Sequence, residues 1–206
     1  MFNPRKIPQY GYGRLANVFT SLEFERMLSA SGPTEGEVRR PSDGTTPKDV
    51  VFIQCVGSRE PERMYCSRVC CTHSLKTALE LKERDPDINV YILYLDMRTY
   101  CQREELYKRA RERGFLFFRY DPDNPPAVSA AGEQVVVTFE DSIIGSRLSV
   151  SADILCLASA IESYHDHTLA QYFKVSMDND GWLLEAHQKL RPVEFANEGI
   201  FLCGMA

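Results

Sequence analysis

Seven cysteines occur in the chain, and four of them, Cys55, Cys66, Cys70 and Cys71, form the run Cys-x10-Cys-x3-Cys-Cys. Thiolate sulfur is a soft ligand that selects iron–sulfur clusters, zinc or Cu(I) over hard cations. Structural zinc favours paired Cys-x2-Cys knuckles, and none is present. A compact set of four cysteines with irregular spacing suits a cubane cluster better. From spacing alone three other readings stay open: a redox-active thiol pair, zinc, and cysteines buried only for packing. The other three cysteines, Cys101, Cys156 and Cys203, are scattered. Cys156 and Cys203 stand in apolar runs that read as buried strands, where a thiol behaves as a small hydrophobe.

The elements around the four cysteines can be read from periodicity. Residues 50–53 (VVFI) form a short apolar run, a buried strand that ends at Gln54-Cys55. Residues 67–84 have helical spacing, with Cys71, Leu75, Ala78 and Leu79 recurring on one face, and Asp85-Pro86 ends the run. This predicts that Cys55 leaves a strand end while Cys70 and Cys71 lie in the first turns of a helix, with Cys66 on the same face as Cys70 if the helix already includes it. The positive end of a helix dipole favours thiolates there.

Further along, residues 90–95 (VYILYL) read as a central parallel strand and 103–113 as an amphipathic helix closed by Gly114. Residues 115–118 form a third strand. Strand–helix–strand–helix–strand is the order of a Rossmann-like βαβαβ unit with a parallel sheet, an α/β fold. Residues 134–140 and 147–151, around a turn at Gly145, add an antiparallel β-meander, and 153–157 returns as a buried strand. Before this body, Thr20 and Glu23 are placed as the capping box of a short helix over 21–29. After it come a short helix near 168–173, a turn at 178–181 and a last strand over 199–202. In a nucleotide-binding βαβ unit the first strand-to-helix turn carries Gly-x-Gly-x-x-Gly. The corresponding turn, CVGSREPERMYCSRVCC, has one glycine, so side chains occupy the place of a pyrophosphate.

Bulk composition removes several classes. Lys and Arg number 24 against 29 Asp and Glu, a formal charge of −5, so no nucleic-acid partner is expected. The basic cluster Lys108, Arg109, Arg111 and Arg113 reads as a solvated helix face. No apolar run reaches the length of a membrane span and the first residues lack a signal-peptide core, which predicts a cytoplasmic protein. In that reducing compartment the cysteines are not a disulfide framework. His73, two residues beyond Cys71, reads as a helix-surface histidine, and no hydrolytic triad or phosphate loop is present.

The segments FIQCVGSRE, YCSRVCCTHSLKTALELKE, VYILYLDMRTY and EELYKRARERG resemble the A subunit of CoB–CoM heterodisulfide reductase, as do the opening YGYGRLANVFTSLEFERMLSASGPTEG and the closing LRPVEFANEGIFLCGMA. The resemblance implies a thioredoxin-reductase-like flavoprotein of two dinucleotide-binding domains. Residues 1–48 would connect from the FAD domain, 49–160 would be the nucleotide-binding-like subdomain, and 161–206 would return into the FAD domain. It further implies a [4Fe–4S] cluster on Cys55, Cys66, Cys70 and Cys71, and FAD contacts from the backbone of Gly204 and Met205. Electrons would pass between FAD and clusters toward a disulfide-reducing partner. The partners would be other heterodisulfide-reductase-like subunits and ferredoxin-type or hydrogenase electron carriers. The family's N-terminal FAD motif and its ferredoxin-type cysteine runs are absent, so the sequence reads as a piece of such a flavoprotein. Two other functions stay open: a thiol–disulfide oxidoreductase using Cys66, Cys70 or Cys71, and a non-catalytic docking module.

Overall fold

A computed structural model of the chain describes residues 1–164 and 167–204. The chain divides into two compact units, Met1–Ala160 and Ile161–Ala206. The first is built on a five-stranded parallel sheet in the order β1-β8-β2-β3-β4, formed by Val18–Thr20 (β1), Asp49–Val56 (β2), Asn89–Tyr94 (β3), Leu116–Arg119 (β4) and Ile154–Ser159 (β8). Three helices accompany it: α1 (Ser21–Leu28), α2 (Cys70–Arg84) and α3 (Glu104–Glu112). Ala127–Ala131 (β5), Gln134–Asp141 (β6) and Ser146–Ala152 (β7) form a separate antiparallel meander.

Period-two alternation divides the core into two layers. Val50, Phe52, Val90, Ile92, Ile154 and Cys156 pack with Phe24 and Leu28 of α1, Leu75 and Ala78 of α2, and Ala110 of α3. On the other side Val51, Ile53, Leu93, Leu155 and Leu157 meet Val135, Val137 and Phe139 of the meander. Both faces of the sheet are therefore covered, which is why its central strands are apolar without interruption.

Local chemistry accounts for the element ends. Thr20 Oγ1 accepts the N–H of Glu23 at 3.3 Å, and Glu23 Oε2 accepts the N–H of Thr20 at 2.7 Å, closing the capping box expected for α1. Asp153 ties the base of the sheet together. Its Oδ2 accepts the N–H groups of Lys48 (2.7 Å) and Asp49 (3.1 Å), and its Oδ1 accepts Arg40 Nη1 (2.6 Å) and Gln134 Nε2 (3.1 Å).

Four sequence expectations need correction. The helix expected over 67–84 begins only at Cys70, because Arg68 takes a left-handed backbone (φ 62°) that a helix cannot contain. Strands β1 and β5 are additions to the expected set: one is three residues at a sheet edge, the other is AVSAA, whose alanines carry little strand signal. The strand expected over 199–202 is reduced to a single bridge between Glu194 and Phe201. Cys203 beside it is exposed rather than packed in a core, whereas Cys156 is fully buried.

The second unit contains α4 (Thr168–Phe173), ended by Lys174 in a left-handed conformation. A turn follows in which Asp178 Oδ1 accepts the N–H groups of Asp180 (3.0 Å) and Trp182 (2.8 Å). Among the described residues no helix is long and apolar enough to cross a membrane.

Candidate metal centre

Strand β2 delivers the first thiol through an irregularity. Its register against β8 shifts between Ile53 and Val56, and Cys55 within the shift has φ 61°. Such a bulge re-aims a side chain out of the strand's regular alternation. Two residues later Gly57 has φ 75°, and a Cβ there would stand 2.3 Å from the Phe2 ring. Glycine is thus required by backbone conformation and by the closeness of Phe2.

The loop between β2 and α2 is held by its own polar contacts. Arg63 Nε donates to the Gly57 carbonyl at 2.6 Å, Ser58 Oγ donates to the Tyr65 carbonyl at 2.7 Å, and Glu60 and Arg63 exchange backbone bonds. These fix the stem from which Cys66 emerges. Cys66 is half-buried and lies before the helix, with its Sγ accepting the Arg68 N–H at 3.3 Å. Cys70 and Cys71 open α2, and no side chain caps that helix at Val69. Both are buried against Ala158 of β8 and Met97, which follows β3.

The pocket therefore lies at the carboxyl ends of β2 and β8, adjacent strands from which the sheet runs in opposite directions. Open α/β sheets bind ligands at such a switch point. The four thiols act on one another there. Burial first, then the neighbouring Cys71 and Cys66, push the Cys55 thiol up to about 12 against the opposing charge of Arg59. A hydrogen bond from the Cys70 thiol lowers Cys71 against the effect of burial, and the N–H and charge of Arg98 and the charge of Arg59 assist. Cys70 is correspondingly raised, first by its bond to Cys71 and then by burial. As a neutral thiol Cys71 donates to the Asp96 carbonyl at 3.8 Å. Ligation requires protons to leave every coordinating thiol.

Among the described residues no three His, Cys, Asp or Glu side chains converge as ligands of one metal ion. A cubane places its thiolates on four different irons, so they stand further apart than the ligands of one ion. A second observation bears on the fit. Every buried side-chain polar atom without a partner belongs to Gln54, Arg59, Thr72 or Ser74, among the described residues. All four residues flank the cysteines in sequence, and orphaned polar atoms of this kind ask for a missing ligand or water. Arg59 Nη1, Gln54 Nε2 and the hydroxyls of Thr72 and Ser74 are unpaired donors of the kind that the sulfides of a cluster accept from, while Gln54 Oε1 is an unpaired acceptor.

Sequence reasoning brings the four cysteines together but misses their neighbours Arg59, Asp96 and Arg98. Arg59 Nη2 pairs with Asp96 Oδ2 at 2.8 Å, and Arg98 reaches the same carboxylate at 3.5 Å. The signal was the basic content of the loop, with Arg59, Arg63 and Arg68 between or beside the cysteines. His73 points elsewhere, its Nε2 lying 3.0 Å from Glu25 Oε2 of α1. Cys101 is exposed with φ 57°. Gly204 sits in a left-handed turn (φ 71°), and Met205 lies outside the described residues.

The parallel sheet with its separate antiparallel meander is a Rossmann-like α/β architecture. Thioredoxin reductase of T. acidophilum shares this fold, with a TM-score of 0.51 at 12% identity over 95% of this chain and 50% of that one. No protein-family profile matches the chain. Closer in sequence is the A subunit of the H(2):CoB-CoM heterodisulfide,ferredoxin reductase from Methanothermobacter marburgensis, 41% identical over 214 residues. One of the iron-sulfur A subunits of CoB--CoM heterodisulfide reductase from Methanopyrus kandleri is 39% identical over 211 residues, covering 98% of this chain. The chain spans about a third of these relatives, 32% and 31% of their lengths. Over its whole length it is homologous to that part of the heterodisulfide reductase A chain.

Proposed function

We propose that the chain is the cluster-bearing part of a heterodisulfide-reductase-like flavo-iron–sulfur oxidoreductase, with a [4Fe–4S] cluster on Cys55, Cys66, Cys70 and Cys71. The observation that carries this is the gathering of Cys55, Cys66, Cys70 and Cys71, close enough to act on one another, at the end of β2 and the start of α2. A cluster bound there would accept and pass on single electrons. The chain's own contribution is to exclude water with Ala158 and Met97, to hold Cys55 and Cys66 through the bulge and the loop, and to supply donors from Gln54, Thr72 and Ser74.

On this reading electrons move between FAD and the cluster and onward to a disulfide-reducing partner. The partners are other subunits of the complex and ferredoxin-type or hydrogenase-linked carriers, in keeping with the names of the relatives. Gly204 and Met205 would meet the flavin through their backbone. The second unit supports placement in a larger assembly, since Leu169, Tyr172, Phe173, Leu190, Val193 and Phe201 are each more than half exposed.

A thiol–disulfide oxidoreductase is the second reading, favoured by the lowered Cys71 thiol beside Cys70. Its weakness is access: both cysteines are buried, and exchange needs an exposed thiolate. The separating experiment is anaerobic reconstitution of the chain followed by dithionite reduction and electron paramagnetic resonance. A cluster gives a brown oxidised protein and, on one-electron reduction, a paramagnetic signal. A colourless, silent protein that still reduces a small disulfide would transfer the assignment to the thiols.

A further inference from the structure

Arg59 stands among the cysteines in a way that packing does not explain. It lies in the loop after β2 with φ 62°, a backbone conformation that costs a non-glycine residue energy and persists where the surroundings impose it. Its Nη2 is held by Asp96 Oδ2 at 2.8 Å, while its Nη1 is buried and has no hydrogen-bond partner. The charge of the same guanidinium acts on the thiols of Cys55 and Cys71. A buried guanidinium N–H without an acceptor is expensive, and the group cannot shed its proton to escape the cost. Its charge is not cancelled by Asp96, which is shared with Arg98 (3.5 Å) and Arg119 (3.4 Å).

We infer that Arg59, latched by Asp96, is the residue that sets the reduction potential of the centre held by the four cysteines. The inference rests on the cluster reading above. Four thiolates make the centre anionic, and each electron added makes it more so. A fixed positive charge with a free N–H therefore stabilises the reduced state more than the oxidised one and raises the potential. The planar fork matters as well as the charge, since one arm engages Asp96 while the buried Nη1 is left free to donate. Lysine, a point charge on a flexible stem, reproduces only part of this.

The test is a redox titration of the anaerobically reconstituted full chain, with dithionite as reductant and the visible band or the paramagnetic signal as readout. Wild type is compared with Arg59→Met, Arg59→Lys and, as a control outside the Asp96 network, Arg109→Met, whose arginine pairs with the exposed Glu83. Iron and sulfide are measured on each sample. Arg59→Met is expected to shift the oxidised-to-reduced ratio at fixed potential at least tenfold toward oxidised, a midpoint lower by about 59 mV for one electron. Arg59→Lys should fall between it and wild type, and Arg109→Met should stay near wild type. If Arg59→Met does not load, Arg59→Lys reads the same shift in smaller measure. Loaded Arg59 variants with the wild-type midpoint overturn the inference and leave the cluster standing. A wild-type chain that takes up no iron removes the cluster itself, and iron analysis separates that outcome from the first.

Discussion

Replacing Asp153 by Asn perturbs the fold at one defined point. The carboxylate is nearly buried, its side chain 8% exposed, and accepts four hydrogen bonds: two from backbone N–H groups at the start of β2, one from Arg40 and one from Gln134. An amide keeps one acceptor oxygen, so two of the four donors face an N–H₂ group, and Arg40, itself only 15% exposed, loses this anionic partner. Removing one member of a buried ion pair costs about 3–5 kcal/mol. At about 2–4 °C per kcal/mol for a domain of this size, melting should fall on the order of 10 °C. Thermal melts by circular dichroism at pH 7 measure this, with Glu37→Gln as the comparison. Glu37 and Arg39 form an exposed pair worth no more than about 1 kcal/mol. Burial raises the Asp153 carboxyl, but the N–H groups of Lys48 and Asp49, Gln134 and the charge of Arg40 outweigh it and hold the pKa below the usual value. A depressed carboxylate stabilises the folded state above its unfolded pKa, roughly 3.9, and that contribution is lost as pH falls toward the native value. The gap between wild type and D153N should be constant from pH 7 to about pH 5 and narrow below about pH 4. A D153N melt indistinguishable from that of E37Q refutes the reasoning, as does a gap that widens in acid.

Other outcomes follow from the same geometry. Phe52→Ala, which empties a fully buried site where Phe52 meets Phe24 edge to face at 5.8 Å, should cost about 3–5 kcal/mol in a urea titration. Thr20→Ala removes the cap of α1 and should cost about 1 kcal/mol in the same assay. Gly57→Ala forces a methyl into the Phe2 ring at a positive φ, so it should lower both melting temperature and iron uptake on reconstitution. Without metal, iodoacetamide should label the exposed Cys101 and Cys203 within minutes and leave Cys156 unlabelled until unfolding, since burial holds that thiol at about 12. Peptide mass mapping reads the order.

Much of the site is legible in the sequence because the needed signals are local. The apolar run ending at Gln54-Cys55 and the helical repeat of Leu75, Ala78 and Leu79 fix a strand end and a helix start. Thiols at those two places cannot then be far apart. What stays hidden depends on partners distant in sequence. The bulge that turns Cys55 exists only against β8, a hundred residues downstream, and so leaves no trace in residues 50–56. Nothing in Ser67 or Arg68 forbids a helix that would include Cys66, yet Arg68 takes a left-handed conformation. Strand β5 pairs Val128 with Val137, yet its remaining residues are small and exposed, so tertiary pairing supplies what propensity does not. Cys203 looks like a core residue from its apolar neighbours, but Phe201 beside it makes a single bridge and no sheet.

The cluster assignment stands or falls on the iron and acid-labile sulfide content of the seven single Cys→Ser variants after anaerobic reconstitution. Wild type should hold about four of each per chain, as a [4Fe–4S] centre requires. Cys55→Ser, Cys66→Ser, Cys70→Ser and Cys71→Ser should lose that content or hold a labile remnant, while Cys101→Ser, Cys156→Ser and Cys203→Ser keep it. Full content in Cys55→Ser or Cys70→Ser, or loss in Cys101→Ser or Cys203→Ser, contradicts the assignment.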